Sequence, residues 1–95
     1  MQKLRPDMNI GENIQKLRLK KGYSQEQVSM LMQFYGCKLS RITYSKIECN
    51  EYNICVSELL ALKEIFDADI KDFFDGLKLP DVELPNIVPY YLRKR

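Results

Sequence analysis

The run Lys20-Lys21-Gly22-Tyr23-Ser24-Gln25-Glu26-Gln27-Val28 ends one helix and opens another within a few residues, and no other stretch limits the fold of this chain as tightly. Two lysines suit the negative end of a helix dipole, and Gly22 can take the left-handed conformation just past a helix end. Two residues on, Ser24 can cap the free N–H groups of a new helix and Gln27 can reach back to the cap. Tyr23 and Val28 supply the apolar clasp across the same turn.

A second helix start follows at Ser40, where Leu39 and Tyr44 form the clasp and Thr43 stands where a reciprocal Glu or Gln would sit. The spacing predicts a helix from Arg41 to about Cys49. At about 100° per residue, Thr43, Tyr44 and Ile47 fall on one side and Arg41, Ile42, Ser45, Lys46 and Cys49 on the other. The first set suits a core. The second is small, hydrogen-bonding or cationic, as a helix must be to lie in a major groove and touch base edges. The plainer reading, an amphipathic helix with a solvated polar face, fits the same residues.

The rest of the chain reads as short helices. Residues 1–8 form an arm without periodicity, and a helix follows, opened by Asn9 with Glu12 three residues later and burying Ile10, Ile14 and Leu17. The second helix spans Gln25 to about Phe34, with Tyr35-Gly36-Cys37-Lys38 as the connection onward. Cys49 or Asn50 ends the third, since Asn tolerates positive φ better than any residue but Gly. A fourth helix is expected from about Val56 to Phe66, burying Leu59, Leu62 and Phe66, and a brief fifth from Ile70 to Phe74 between Asp69 and Gly76. The expected fold is all-α and five-helical, with the compact domain over 9–76. In residues 77–95, Pro80, Pro85 and Pro89 forbid a continuous helix, yet Leu77, Leu79, Val82, Leu84, Ile87, Val88, Tyr90, Tyr91 and Leu92 are too apolar for a solvating linker. An extended tail packed on its own domain or on a partner subunit is expected, a tail without fixed structure being the alternative.

Composition narrows the function classes. The 95 residues suit one modest core, and 45% hydrophobic content fits a globular protein. No apolar run approaches the roughly 18–20 residues of a membrane span, and Met1-Gln2-Lys3-Leu4-Arg5-Pro6-Asp7 does not resemble a signal peptide, so a cytoplasmic protein is expected. Cys37, Cys49 and Cys55 lack Cys-x-x-Cys spacing and there is no histidine, which points to neither a disulfide framework nor a metal site. The net charge of +2 divides unevenly: +4 over residues 1–22, zero over 23–55, −4 over 56–76 and +2 over 77–95. Such a chain can orient its basic front on a polyanion and keep the acidic segment for solvent or another protein.

Taken in order, Ile10-Gly11-x-x-Ile14-x-x-Leu17-Arg18, Gly22 to Val28, Ser40 to Glu48, Glu58-Leu59-Leu60-Ala61-Leu62 and Asp72-Phe73-Phe74 resemble the Cro and phage-repressor type of helix-turn-helix domain, the xenobiotic-response-element family of bacterial regulators. The resemblance covers about Ile10 to Phe74. It implies a structural ion pair between Arg18 and Glu48, a phosphate contact for Gln25 at the start of the second helix, and base-facing roles for Arg41, Ile42, Ser45 and Lys46. Arg41 is the best candidate for reading sequence, because a guanidinium can bond bidentately to O6 and N7 of guanine. Ile42 could meet a thymine methyl, turn inward or face a partner protein. Lys38, Asn50, Tyr52 and Asn53 flank the helix as candidate phosphate contacts, and each is equally an ordinary polar loop residue. The chain departs from the family pattern in its longer connection after the second helix, in Ser29 where Ala is usual, and in Cys49-Asn50 where a basic residue and Gly are frequent.

The resemblance implies sequence-specific binding of double-stranded DNA as a homodimer and transcriptional regulation. The alternative is a protein-interaction module or antitoxin that keeps the fold and uses residues 56–95 toward a protein partner. An enzyme is not expected, since there is no histidine for acid-base work, no Gly-rich phosphate loop and no carboxylate cluster beyond helix-end charges. No cofactor is expected, and the chain has no room for a separate small-molecule domain.

Overall fold

The computed structural model describes residues 3, 4 and 6–79, and within them the chain is all-helical. Four α-helices, α1 (Gly11–Lys21), α2 (Gln25–Gln33), α3 (Arg41–Glu48) and α4 (Val56–Phe66), precede a 3-10 helix over Ile70–Phe74. None of these helices is long and apolar enough to cross a membrane.

All four α-helices stop in the same way. A residue within three positions of the end has positive φ: Gly22 (78°), Gly36 (80°), Asn50 (62°) and Asp67 (50°). Paired backbone bonds then satisfy the last carbonyls: after α1, Tyr23 N–H donates to Arg18 O (3.3 Å) and Gly22 N–H to Leu19 O (3.0 Å). Equivalent pairs close α2 onto Met32 and Gln33, α3 onto Lys46 and Ile47, and α4 onto Lys63 and Glu64. Gly22 and Asn50 fill the roles expected of them. Asp67 does so too, although no sequence signal singled it out.

The capping box at Ser24 is complete: its Oγ accepts the Gln27 N–H (3.1 Å) while Gln27 Oε1 accepts the Ser24 N–H (2.8 Å). Asn9 Oδ1 accepts the Glu12 N–H (3.2 Å), as the first start predicts, although regular helix begins only at Gly11. Two boundaries move by one residue. Gln33 ends α2 because Phe34 and Tyr35 shift to tighter bonds, onto Leu31 O and Met32 O, and Glu48 ends α3 because Cys49 has already left helical geometry. The expected fifth helix is a 3-10 helix. Five residues between Asp69 and Asp75 are too few for a ladder of i to i+4 bonds, and the tighter i to i+3 pattern serves in such short pieces. Asn13 ties its far end to α1, donating to Phe73 O (3.0 Å) and Asp75 O (2.9 Å).

The side chains of Ile14, Val28, Met32, Tyr44, Ile54, Leu62 and Phe73 are fully buried, one or more from every helix, and the Phe66 and Phe73 rings stack with centroids 6.5 Å apart. The helices thus share one core, with α3 packed on both α1 and α2. Part of the arm is pinned: Lys3 forms an antiparallel bridge with Cys55, and Leu4 N–H donates to Ile54 O (2.6 Å). Of the expected tail, Leu77 packs against the core, Lys78 and Leu79 are exposed, and residues 80–95 lie outside the described residues.

Candidate nucleic-acid interface

The α3 helix begins at Ser40, whose extended backbone turns the chain into the helix and whose Oγ accepts the Thr43 N–H (3.1 Å). Leu39, Tyr44 and Ile47 are buried, which fixes the rotation of α3 about its axis. Arg41, Ile42, Lys46 and Cys49 are consequently exposed and Ser45 is half-buried. The base-facing candidates thus share the outer side of α3. Ile42 is 64% exposed, so of its three alternatives the inward one is closed.

The inner side of α3 ends in a dense polar knot. Glu48 accepts bonds from Arg18 Nε (2.6 Å, to Oε2) and a terminal Arg18 nitrogen (3.1 Å, to Oε1), from the Tyr44 hydroxyl (2.6 Å) and from Gln25 Nε2 (2.9 Å). Arg18 also donates to Tyr23 O (2.9 Å). The pair is withdrawn from solvent, with side-chain exposures of 10% for Arg18 and 3% for Glu48. Burial pushes the Glu48 carboxyl upward, but the bonds from Arg18, Tyr44 and Gln25 together outweigh it and hold the group below the usual carboxylate range. The bond to Glu48 raises the Arg18 guanidinium further, against its own burial. Burial first, and then the bond to Glu48, pushes the Tyr44 phenol far above its ordinary value. The expected Arg18–Glu48 pair is therefore present, and it joins α1, α2 and α3 at one point.

The flanking candidates divide. Lys38, before α3, and Asn53, after it, are exposed. Tyr52 is half-buried and donates to Glu58 Oε2 (3.1 Å); burial and that carboxylate push its phenol up to about 12. Gln25 directs its amide to Glu48, and Asn50 spends its side chain on Pro6, Ile10 and Gly11. Sequence reasoning missed the Gln25 and Tyr44 members of the knot. Tyr44 and Glu48 stand four residues apart on one helix, which was a usable signal; Gln25, 23 residues away in sequence, gave none.

A groove of about 430 Å³ lies elsewhere, between the arm and the residues after the 3-10 helix, lined by Leu4, Pro6, Met8, Ile10, Phe74 and Leu77 among others. No residue of α3 belongs to it, and its wall is largely apolar. Compared with protein-family models, curated proteins and solved structures, the chain finds no match.

Proposed function

We propose that this protein is a helix-turn-helix transcriptional regulator that binds double-stranded DNA sequence-specifically as a dimer, with α2 and α3 as the motif and α3 in the major groove. The observation that carries this reading is the outer side of a short helix, with Arg41 and Lys46 exposed and Ser45 half-buried between them, whose inner side is locked by Tyr44, Ile47 and Glu48. Rigid backing and an open hydrogen-bonding face are what direct readout requires. Arg41 supplies a bidentate donor for guanine, and Lys38 at the helix entry supplies a phosphate charge. Two such domains related by a two-fold axis would present their helices to half-sites about 34 Å apart.

The test compares two variants on a selected oligonucleotide and on random DNA. Arg41→Ala relaxes preference at one base position by about 1 to 3 kcal/mol, while Lys38→Ala weakens all sequences evenly and lowers the salt slope by about 1. An Arg41→Ala protein with native affinity and native preference would remove the reading face from this helix.

A second reading, a protein-interaction module with the same fold, draws on a different observation. Met30, Phe34 and Tyr35 at the end of α2 are exposed, Phe34 by 84%, and Ile42 adds an apolar side chain at the start of α3. Exposed apolar residues mark contact surfaces when they form a contiguous patch. Complete absence of binding to random-sequence DNA at low salt would favour this second reading.

A further inference from the structure

We infer that Asn50 is a positioning residue for the outer side of α3, acting by tying the end of that helix to the start of α1. The inference rests on the DNA-binding reading and assigns Asn50 a role other than a phosphate contact. Asn50 occupies the left-handed position just past α3, with its own N–H on Ile47 O (3.1 Å) and the Glu51 N–H on Lys46 O (2.8 Å). Glycine would serve that backbone at least as well. The side chain must therefore be explained by what it bonds.

Its Oδ1 accepts the N–H groups of Ile10 (3.1 Å) and Gly11 (3.4 Å), and its Nδ2 donates to Pro6 O (3.1 Å). The Ile10 and Gly11 N–H groups open α1 and belong to the set that a helix leaves without an internal partner. A residue 40 positions away thus caps α1. An amide offers two acceptor sites and two donors, and three of the four are already engaged within the protein. One N–H remains, so the accepting oxygen and half of the donors are committed to the tie before any outside contact is made.

The same joint allows no slack. A Cβ on Gly11 would overlap Glu48 O and stand 2.6 Å from Ile47 O, so the two backbones are in direct contact there. Two turns along α1, Arg18 holds the Glu48 carboxylate. The C-terminal end of α3 is thereby fixed at Asn50, Gly11 and Arg18, while Arg41 lies about 10 Å away along the helix at 1.5 Å per residue. A tilt of about 10° about the joint would move Arg41 by roughly 2 Å over that lever, enough to spoil a bidentate contact.

Asn50→Gly keeps the backbone conformation and removes all three side-chain bonds; Asn50→Asp keeps the accepting oxygen. The experiment measures amide hydrogen exchange at Ile10 and Gly11 together with affinity for an oligonucleotide selected by the native protein and for random DNA. The expected result for Asn50→Gly is faster exchange at Gly11, a smaller rise at Ile10, whose N–H also donates to Met8 O (3.0 Å), and an about tenfold fall in the ratio of specific to random affinity, roughly the net worth of one or two hydrogen bonds. Random-sequence affinity stays within about twofold, since no phosphate contact is lost. Asn50→Asp restores protection at both amides and recovers the ratio. Equal losses on both DNAs would make Asn50 a phosphate contact and overturn the inference. Faster exchange with an unchanged ratio would reduce Asn50 to a structural cap. A native protein with no sequence preference would overturn the DNA reading, and the positioning role with it, while the exchange data still report whether the tie exists.

Discussion

The two ends of α3 are held in opposite ways. At the C-terminal end, Glu48 receives four hydrogen bonds from three residues on three helices, Gly11 brings the α1 backbone against the last carbonyls, and Asn50 bonds back to the arm and to α1. At the N-terminal end, a single serine caps the helix, and Arg41 and Ile42 stand in solvent directly after it. Contacts are concentrated on the inner side of the C-terminal end, while Arg41 and Ile42 project from the end with the fewest attachments. A short helix cannot be fixed by its own ladder, because an isolated eight-residue helix is far below the length that is stable alone. Its geometry must come from tertiary contacts, and here these gather at one end.

The largest break in that asymmetry should come from Glu48. Glu48→Ala leaves the Arg18 guanidinium buried without its counter-charge and strips Tyr44 and Gln25 of their acceptor, at a cost of about 3 to 5 kcal/mol in chemical denaturation. Acid should reproduce part of this. Because folding holds the Glu48 carboxyl below its ordinary value of 4.5, the contribution is fully present above that value and is lost as pH falls through the folded one. Native stability should therefore drop on acidification below about pH 4.5, and Glu48→Gln should flatten that part of the profile. A Glu48→Gln protein with the native acid dependence would place the titrating group elsewhere.

Gly11→Ala probes the same end through packing alone. Alanine normally favours a helix over glycine by about 1 kcal/mol, so on propensity the change should stabilise α1. The added Cβ, however, meets two backbone carbonyls that cannot rotate away. Overpacking of this kind costs about 1 to 3 kcal/mol, and the net effect expected in a denaturant melt is a loss. A more stable Gly11→Ala protein would show that α1 does not lie against the end of α3.

The asymmetry also sorts what was legible in the sequence. The N-terminal end was readable because capping is local: Leu39, Ser40, Thr43 and Tyr44 lie within one six-residue stretch, and the rotation of α3 followed from the buried positions Tyr44 and Ile47. The stops at Gly22 and Asn50 were readable for the same reason, and α4 was readable from its buried stripe Leu59, Leu62 and Phe66. The C-terminal joint was only partly so. The Arg18–Glu48 pair came from the family resemblance, while the Gln25 contact and the tie from Asn50 to Ile10 join residues 23 and 40 positions apart, and nothing in local propensity encodes such distances. Asn50 is instructive: its backbone role was legible from its tolerance of positive φ, and its side-chain role was not. Lys3 and Leu4 behaved likewise, showing no periodicity because their pairing partners are Cys55 and Ile54.

Ile42→Ala tests the free end, where the smallest effect on stability is expected. With 64% of the side chain exposed, truncation forms no cavity and strands no polar group, so the change should stay within about 0.5 kcal/mol. Any cost to function would then be a contact cost, uncoupled from folding. If Ile42 packs on a thymine methyl, the native protein should prefer thymine over deoxyuridine at one position of its selected site, because the two bases differ there only by the methyl group. Ile42→Ala should reduce that preference and leave the Arg41-dependent position untouched, since the two side chains address different base pairs from adjacent points on the helix. Equal affinity of the native protein for thymine and deoxyuridine at every position would release Ile42 from DNA. It would then join Phe34 and Met30 as a candidate for protein contact, and the free end of α3 would carry two functions instead of one.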